Sequence, residues 1–269
     1  MSGIRLLVSD VDGTLVTPEK LLTERSRAAA AALQARGIAF SNASSRPPFG
    51  MRQLVAPLAL RLPFAAFNGA ALVTPELAPL EERRLPPDAS RAALAVFDEL
   101  GVDAWVFTNE RWLLRDPAGA YVPLERRTIA SEPTVVERFD PVLEKVLKIV
   151  GVSATPERLL SAQERARAVI GERALVARSQ TYYLDVTPAG ADKGTAVAAL
   201  QRRLGISAAE TAVIGDGEND LALFAAAGFR IAMGNAVAVL KQHADEVTLA
   251  NTEDGFAAAV ERLVLPRAA

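Results

Sequence analysis

Five short apolar segments of this 269-residue chain each end in small or polar residues, and this arrangement constrains the fold more than any other feature. The apolar character within each segment is continuous rather than alternating, which is typical of strands covered on both faces of a parallel sheet. Helical patterns lie between several segments and end at Gly37, Gly205 and Gly228. Strands that alternate with helices predict an α/β fold. The five segments are 4–8, 38–40, 64–67, 212–214 and 229–233.

The middle of the chain has a different pattern. Helical stretches at 90–100 and 156–170 are mixed with strand-like runs at 104–108, 143–150 and 181–184, and proline-rich sequence flanks the block near residues 75–87 and 187–190. We therefore expect an α+β domain inserted into the α/β domain. The predicted division gives residues 1–82 and 186–269 to the α/β core and residues 83–185 to the insertion.

The composition restricts the chemistry. The chain has 30 Lys and Arg residues against 32 Asp and Glu residues, so no excess of positive charge favours nucleic acid or a membrane surface as a partner. It has no cysteine and one histidine, His243, which excludes thiol nucleophiles, disulfides and multi-histidine metal centres. No apolar run reaches the roughly 18 residues of a membrane span, and no secretory signal is evident, so we expect a cytoplasmic protein. Carboxylates, hydroxyls, amides and basic side chains remain, and these suit hard cations and phosphates.

Two carboxylates follow the first predicted strand. Asp10 and Asp12 are two residues apart, so at a strand end they point to the same side, and Gly13 allows a sharp turn after them. Two carboxylates at this spacing repel each other unless a cation or a shared proton offsets the charge. A turn that uses Asp and Gly only for its backbone shape is the alternative.

A second acidic cluster follows the segment 212–214. Asn219 or Asp220 is suited to cap the helix that follows, but capping does not explain Asp216 at the strand end. Asp216 can complete an oxygen-only cation site with Asp10 and Asp12, and such donors suit Mg²⁺.

Two further segments are suited to phosphate. Lys193 begins a helix in a chain where only five of 30 basic residues are lysines, and a compact ammonium group suits a phosphate oxygen. An exposed surface lysine is the alternative. The Ser- and Pro-rich stretch 41–48 follows the second strand, where hydroxyl and backbone N–H groups can bind a phosphate oxygen, although an ordinary turn has the same composition.

The order of these motifs resembles the haloacid dehalogenase superfamily, and more narrowly its Cof-like sugar-phosphate phosphatases with a class IIB cap. The resemblance implies a Rossmann-like parallel-sheet core with an inserted α+β cap domain. The motifs that carry it are Asp-Val-Asp-Gly-Thr at 10–14, Ser-Ser-Arg-Pro at 44–47, Asp-Lys-Gly at 192–194 and Gly-Asp-Gly-Glu-Asn-Asp at 215–220. Further family landmarks are Asn68-Gly69-Ala70 and the segments 184–188, 232–236 and 251–255.

The resemblance also implies the catalytic residues. Asp10 would be the nucleophile that forms an aspartyl-phosphate. Asp12 would protonate the leaving alcohol and then activate water. Asp10, the backbone carbonyl of Asp12 and Asp216 would hold Mg²⁺.

The remaining motif residues would bind the substrate. Ser44 and Lys193 would bind the transferring phosphoryl group. Asn219 and Asp220 would orient ligands or substrate, with Asp220 in a supporting place. Arg46 is a candidate contact to a substrate anion, and an exposed surface position is the alternative for this residue.

The function implied is a Mg²⁺-dependent phosphatase for a small phosphorylated metabolite, a sugar or polyol phosphate, acting as a monomer or homodimer. A sugar phosphomutase with the same intermediate and a non-catalytic sugar-phosphate-binding regulator are the alternatives. Ser45 stands where the family usually has glycine. The aromatic residues Trp105, Trp112, Tyr182 and Tyr183 are expected to form the core of the inserted domain rather than to stack on substrate.

Overall fold

The computed structural model of the protein describes residues 3–269, which form two compact units. Unit 1 comprises the chain up to Ser45 together with Arg52–Leu80 and Asp192–Ala269, and unit 2 comprises Arg46–Met51 and Glu81–Ala191. The short segment 46–51 thus belongs to unit 2, although it is distant from the rest of that unit in sequence. The domain limits after residues 82 and 185 stay a prediction.

The helices and strands alternate at both ends of the chain and are mixed in its middle. Up to residue 82 they are β1 (Leu6–Ser9), α1 (Glu24–Ala35), β2 (Ala39–Asn42), α2 (Pro48–Val55), β3 (Phe64–Ala66), β4 (Ala71–Val73) and β5 (Pro79–Glu82). From 87 to 188 they are α3 (Pro87–Leu100), β6 (Asp103–Phe107), β7 (Trp112–Leu114), α4 (Val122–Ile129), β8 (Thr134–Val135), β9 (Lys148–Val152), α5 (Pro156–Ile170), β10 (Ala174–Gln180) and β11 (Tyr183–Pro188). The last are α6 (Lys193–Leu204), β12 (Thr211–Gly215), α7 (Leu221–Ala225), β13 (Phe229–Ala232), α8 (Ala238–Gln242), β14 (Glu246–Val247) and α9 (Gly255–Ala259).

The main sheet of unit 1 is parallel and has the strand order β14-β13-β12-β1-β2. Strand β1 lies between β12 and β2, is buried along its whole length and places Leu6 opposite both Thr211 and Ala39. Continuous apolar strands predict this arrangement, because both faces of the sheet are covered. The carboxyl ends of parallel strands meet at one edge of the sheet, and the polar segments after β1, β2 and β12 therefore come together there.

The segment 64–67 differs from its prediction as a strand of the parallel sheet. Its strand β3 pairs antiparallel with β4, with Phe64 opposite Val73. An isolated parallel bridge joins Ala65 of β3 to Ala43, the residue that follows β2. A continuous apolar run indicates burial on both faces but not the identity of the neighbouring strand, so the sequence alone does not separate the two sheets.

Side-chain caps fix where two helices of unit 1 begin. The hydroxyl of Thr23 accepts a hydrogen bond from the backbone of Ser26 at the start of α1. The carboxylate of Asp192 accepts one from the backbone of Thr195 at 2.7 Å, so α6 begins at Lys193. Such caps satisfy backbone N–H groups that have no partner within the helix.

Unit 2 is built on a six-stranded sheet with the order β10-β11-β9-β6-β7-β8, antiparallel in its centre. Buried residues of α3 and α5 form one apolar core with residues of β6 and β9. Trp105 and Trp112 are buried and contact each other edge to face with ring centroids 5.1 Å apart. The two tryptophans are thus buried as predicted, although they lie outside the core that α3 and α5 form with the sheet, whereas Tyr182 and Tyr183 are only partly buried and Tyr182 stacks on Tyr121.

Three predictions for unit 2 are wrong in their details. The strand expected at 143–150 begins only at Lys148, because residues 140–145 form a 3₁₀ helix with Pro141 in its first turn. Thr187 and Pro188 end strand β11 rather than form a linker. The run expected as a strand at 181–184 begins with a turn, and its strand continues from Tyr183 onward.

The α/β fold class with a parallel-sheet core and an additional α+β unit is confirmed. Within residues 3–269, no helix combines the length and the apolar character needed to cross a bilayer.

Candidate active site

Asp10 lies directly after β1, an inner strand of the unit 1 sheet, and is almost fully buried, with 4% of its surface exposed. Its backbone N–H donates to Ile214 of β12 at 2.9 Å, and its carbonyl accepts from the hydroxyl of Ser9 at 2.7 Å. The end of the sheet therefore fixes the backbone of Asp10, and the carboxylate is held away from bulk water.

Lys193 is the partner of the Asp10 carboxylate. Its Nζ atom lies 2.6 Å from Asp10 Oδ1 and 2.6 Å from Asp220 Oδ1, and only 1% of the residue is exposed. The alternative of an exposed surface lysine is therefore wrong. Because Lys193 is the first residue of α6, the Asp192 cap that starts the helix also places this ammonium group.

Asp216 is held beside Asp10 by the turn that follows β1. The hydroxyl of Thr14 donates to Asp216 Oδ1 at 2.9 Å. Gly13 adopts a φ of +84°, and a Cβ atom at this position would lie 2.2 Å from Asp216 Oδ2. Glycine is therefore required at position 13 both by its left-handed backbone and by the close approach of the carboxylate.

Asp220 anchors the loop after β12. Its Oδ2 atom accepts hydrogen bonds from the backbone N–H groups of Asp216 at 2.8 Å and Gly217 at 2.9 Å, while Oδ1 accepts from Lys193. A Cβ atom on Gly215 would lie 2.5 Å from Asp220 Oδ2, so glycine is required there for a close approach of this carboxylate. Asp220 thus links the loop that carries Asp216 to Lys193.

Asp10, Asp216 and Asp220 together form a cluster that fits a cation. One carboxylate oxygen from each residue lies within 4.8 Å of the others. Three carboxylates around a single ammonium group leave an excess of negative charge, and the donors are all oxygens, as Mg²⁺ prefers. The residues present therefore fit a magnesium ion. The contribution of the Asp12 backbone carbonyl stays a prediction.

Burial and the neighbouring charges together shift the pKa values of the cluster. Burial raises the pKa of the Asp10 carboxyl well above its usual value; Lys193 lowers it, and the charges of Asp220 and Asp216 raise it further. Burial also raises the pKa of Asp216. Burial alone would lower the pKa of Lys193, but the charges of Asp10 and Asp220 raise it above its usual value. All three shifts favour an additional positive charge in the cluster.

The carboxylate of Asp12 contacts a lysine that sequence reasoning missed. Asp12 Oδ1 accepts a hydrogen bond from Lys20 Nζ at 2.7 Å. Lys20 lies eight residues further along the chain, in a turn with a φ of +67°. The residue spacing does not indicate this contact. The one signal in the sequence is that lysine is rare in this chain, so that each lysine is a candidate for a specific role.

Ser44 is buried beside a second residue that sequence reasoning did not assign to the site. Ser44 is 1% exposed, and its carbonyl accepts a hydrogen bond from the backbone of Asn68 at 2.8 Å. The side chain of Asn219 donates in turn to Asn68 Oδ1 at 3.1 Å. Asn68 has a φ of +54° in the turn after β3 and so connects the Ser44 and Asn219 segments.

The late landmarks of the sequence hold the turn after Asp12. The side chain of Asn235 donates to the carbonyl of Gly13 at 2.8 Å and accepts from the backbone of Asn251 at 2.9 Å. Asn251 donates from its side chain to the carbonyl of Val16 at 2.9 Å. These amides therefore fix the backbone on both sides of Thr14.

Arg46 lies in unit 2 and is 3% exposed, so the alternative of an exposed surface residue is wrong. Its guanidinium group donates to the carbonyl of Gly50 at 3.3 Å. A contact between Arg46 and a substrate anion stays a prediction.

Buried carboxylates, one buried lysine and the carboxyl edge of a parallel sheet define an α/β protein with an acidic site that fits a cation. Residues 7–260 match the family profile of the haloacid dehalogenase-like hydrolases, and the chain belongs to this family. The prediction of family and enzyme class is thereby confirmed.

Known relatives agree with this assignment. The HMP-PP phosphatase of Cronobacter sakazakii is 29% identical over 234 residues, which is 87% of this chain and 85% of that protein. A haloacid dehalogenase-like hydrolase from Bacteroides thetaiotaomicron has a similar structure, with a TM-score of 0.90, 28% identity and coverage of 97% of this chain and 99% of that one. The subclass IIB sugar phosphatase BT4131 shares the fold, with a TM-score of 0.82, 23% identity and coverage of 96% and 98%.

Proposed function

We propose that the protein is a Mg²⁺-dependent phosphatase that hydrolyses a small phosphorylated metabolite, a sugar or polyol phosphate, in the cytoplasm as a monomer or homodimer. The observation that carries the proposal is the buried Asp10 carboxylate, held 2.6 Å from Lys193 among further carboxylates. The names of the relatives, an HMP-PP phosphatase and a subclass IIB sugar phosphatase, support the reaction type and the substrate class.

In the first step, a carboxylate oxygen of Asp10 attacks the phosphorus atom of the ester. The bond between phosphorus and the ester oxygen breaks, and Asp12 gives its proton to the departing alcohol. The products are the free alcohol and an aspartyl-phosphate on Asp10. A covalent intermediate divides one difficult displacement into two easier ones.

In the second step, the Asp12 carboxylate takes a proton from water while the water oxygen attacks the phosphorus atom. The bond between phosphorus and Asp10 breaks, inorganic phosphate leaves, and the Asp12 proton is restored. One residue thus acts as the acid first and the base second.

Positive charge is needed because Asp10 and the phosphate are both anionic. Lys193 supplies it at the Asp10 carboxylate and would contact the phosphoryl oxygens. A magnesium ion held by Asp10, the Asp12 carbonyl and Asp216 would supply further charge neutralisation when bound. Asp220 supports this arrangement, because its carboxylate fixes both Lys193 and the Asp216 backbone.

The remaining predicted residues would place the substrate. Ser44 would bind a phosphoryl oxygen, and its burial at the end of β2 agrees with a fixed hydrogen-bonding group. Asn219 would orient the substrate, and Asn68 holds the Asn219 amide at 3.1 Å. Arg46 would contact a substrate anion.

The proposal is tested by phosphate release from a panel of phosphorylated sugars, polyols, nucleotides and phosphoglycolate, with Mg²⁺ and with EDTA. We expect Mg²⁺-dependent release from sugar or polyol phosphates and no release by Asp10→Asn. Asp245→Asn is the matched control, because Asp245 is an exposed aspartate paired with Arg230.

Each alternative has its own outcome in the same panel. Conversion of a hexose 1-phosphate to the 6-phosphate without net phosphate release would indicate a phosphomutase. Binding of sugar phosphates without turnover of any ester would indicate a regulator. Equal turnover by wild type and Asp10→Asn would overturn the proposed mechanism.

A further inference from the structure

The side chain of Lys20 forms an ion pair with Asp12 at the candidate active site. Nζ of Lys20 lies 2.7 Å from Asp12 Oδ1, and the two side chains keep only 28% and 26% of their surface exposed. The contact lies within unit 1 and joins residues eight positions apart. This pair is better shielded than an open surface ion pair, which holds its partners only loosely.

The backbone around Lys20 turns back toward Asp12. Asp12 forms a parallel bridge with Val16, Thr17 donates from its backbone to Leu21 at 3.0 Å, and Lys20 donates to Thr17 at 2.9 Å. Lys20 has a φ of +67°, in the left-handed region that favours glycine over residues with a Cβ atom. Backbone strain of this kind is concentrated at functional sites, and here it accompanies the contact between the ammonium group and Asp12.

The choice of lysine is itself informative. Only five of the 30 basic residues are lysines, yet each aspartate of the Asp-Val-Asp pair has its own: Lys193 on Asp10 and Lys20 on Asp12. An ammonium group is a compact charge that can hold one carboxylate oxygen, whereas a guanidinium group tends to engage both. By fixing Oδ1, Lys20 fixes the plane of the Asp12 carboxyl group and so the direction of its second oxygen.

We propose that Lys20 is a positioning residue that holds the Asp12 carboxyl group in the orientation needed for proton transfer to and from the reacting oxygen. This inference rests on the proposed function, in which Asp12 protonates the leaving alcohol and then deprotonates water. Lys20 acts through Asp12 and does not touch the phosphoryl group. The loss of an oriented acid costs most for esters whose alcohol is a poor leaving group, because such alcohols cannot depart without a proton.

The test compares two substrates in the Lys20→Met variant, which keeps much of the side-chain length and removes the charge. One substrate is the best alkyl phosphate of the panel, and the other is p-nitrophenyl phosphate, whose nitrophenolate leaves without a proton. The measured quantity is kcat/KM, which reports the steps up to departure of the alcohol. We expect Lys20→Met to lower kcat/KM for the alkyl ester about tenfold to a hundredfold, and to change it less than about threefold for the nitrophenyl ester.

Three further variants separate positioning from folding. Lys20→Gly removes the side chain and suits the left-handed backbone, so it preserves the turn if Lys20→Met disturbs it. Lys20→Arg keeps the positive charge and is expected to restore part of the alkyl-ester activity. Lys145→Ala, at an exposed lysine of unit 2, is the matched control and should behave as wild type.

A selective loss with the alkyl ester, shared by Lys20→Met and Lys20→Gly and partly restored by Lys20→Arg, would support the inference. An equal loss for both esters would overturn it, because a structural or purely attractive role does not distinguish the leaving groups. Unchanged kinetics for both esters would overturn it as well. Failure of the proposed function has a different signature, since wild type would then release no phosphate or would match Asp10→Asn.

Discussion

Two lysine–aspartate pairs, one in each unit, use the same chemical groups in different surroundings. Lys193 lies 2.6 Å from Asp10 in unit 1, and Lys148 lies 2.7 Å from Asp185 in unit 2; all four side chains are largely shielded from solvent. Asp216 and Asp220 add two carboxylates around the first pair. Among residues 3–269, no other group of three acidic or histidine side chains approaches this geometry, so the pair in unit 2 has no comparable acidic cluster around it.

The comparison shows that the charges around a lysine–aspartate pair decide whether the pair stabilises the fold or belongs to a cation site. A buried pair with balanced charges contributes structure, because removing either partner leaves an uncompensated charge in the interior. A buried pair among surplus carboxylates favours a further cation, because one ammonium group does not balance the charge of three carboxylates. Buried charge alone therefore does not identify the active site, whereas an excess of one sign does.

The largest expected effect is on turnover. Asp10→Asn should lower kcat by about 10⁴-fold or more, because the amide cannot serve as the phosphoryl acceptor. The matching change in unit 2, Asp185→Asn, should leave the aspartyl-phosphate chemistry in place. Phosphate release and phosphoenzyme formation measure both. Comparable losses of phosphoenzyme formation in the two variants would contradict the assignment of the active site to the Lys193–Asp10 pair.

The two lysines should differ in their response to magnesium. Lys193→Met and Lys148→Met should each lower the free energy of unfolding by about 3–5 kcal/mol, since each leaves a buried carboxylate without its partner. Each loss is measured against wild type at the same Mg²⁺ concentration, because Mg²⁺ also stabilises wild type. Mg²⁺ should recover part of the loss in Lys193→Met, because a cation can balance the carboxylates of Asp10, Asp216 and Asp220, and none of it in Lys148→Met. Denaturant unfolding with Mg²⁺ and with EDTA measures both effects. A recovery of equal size in the two variants would contradict the assignment of the cation site.

Asp216→Asn should weaken the response to magnesium while retaining the fold. We expect the Mg²⁺ concentration for half-maximal activity to rise about tenfold to a hundredfold, because one anionic ligand becomes neutral. In wild type, Mg²⁺ at about 100 times its dissociation constant should raise the free energy of unfolding by about 2.7 kcal/mol, and the same concentration should give less in the variant. Asp245→Asn is again the matched control. An unchanged Mg²⁺ response in Asp216→Asn would exclude this residue as a ligand.

The smallest expected effect concerns the orientation of Asp216. Thr14→Val removes the hydroxyl that donates to Asp216 Oδ1 at 2.9 Å, and should weaken the Mg²⁺ response by an amount corresponding to about 1 kcal/mol. Thr14→Ser keeps the hydroxyl group and should stay close to wild type. A Mg²⁺ titration of activity checks this, and similar values for valine and serine would show that the hydrogen bond is unimportant.

The sequence predicts the sheet edge and its carboxylates well, because the positions of strands and their polar ends follow directly from local pattern. Asp10 and Asp216 lie after strands β1 and β12, and Lys193 begins a helix beside them as the motif order implies. The resemblance to a family supplied the roles of these residues, which spacing alone does not give.

The contacts that depend on left-handed turns could not be predicted in the same way. Lys20 contacts Asp12, and Asn68 contacts Asn219, from backbone conformations with positive φ. The sequence around Lys20 and Asn68 does not indicate these conformations. The burial of Arg46 was missed for a different reason, since the segment 46–51 belongs to unit 2 through contacts that are distant in sequence. Long-range packing decides such positions, and it leaves no local periodicity.

The most direct test of the central claim is to locate the phosphoryl group on the protein. In Asp12→Ala, with the step that activates water impaired, brief reaction with p-nitrophenyl phosphate, whose nitrophenolate leaves without a proton, and acid quenching should allow peptide mass spectrometry to find one phosphoryl group on Asp10. The same treatment of a variant that also carries Asp10→Asn should give no phosphopeptide. A phosphoryl group on another residue, or one that persists without Asp10, would contradict the account.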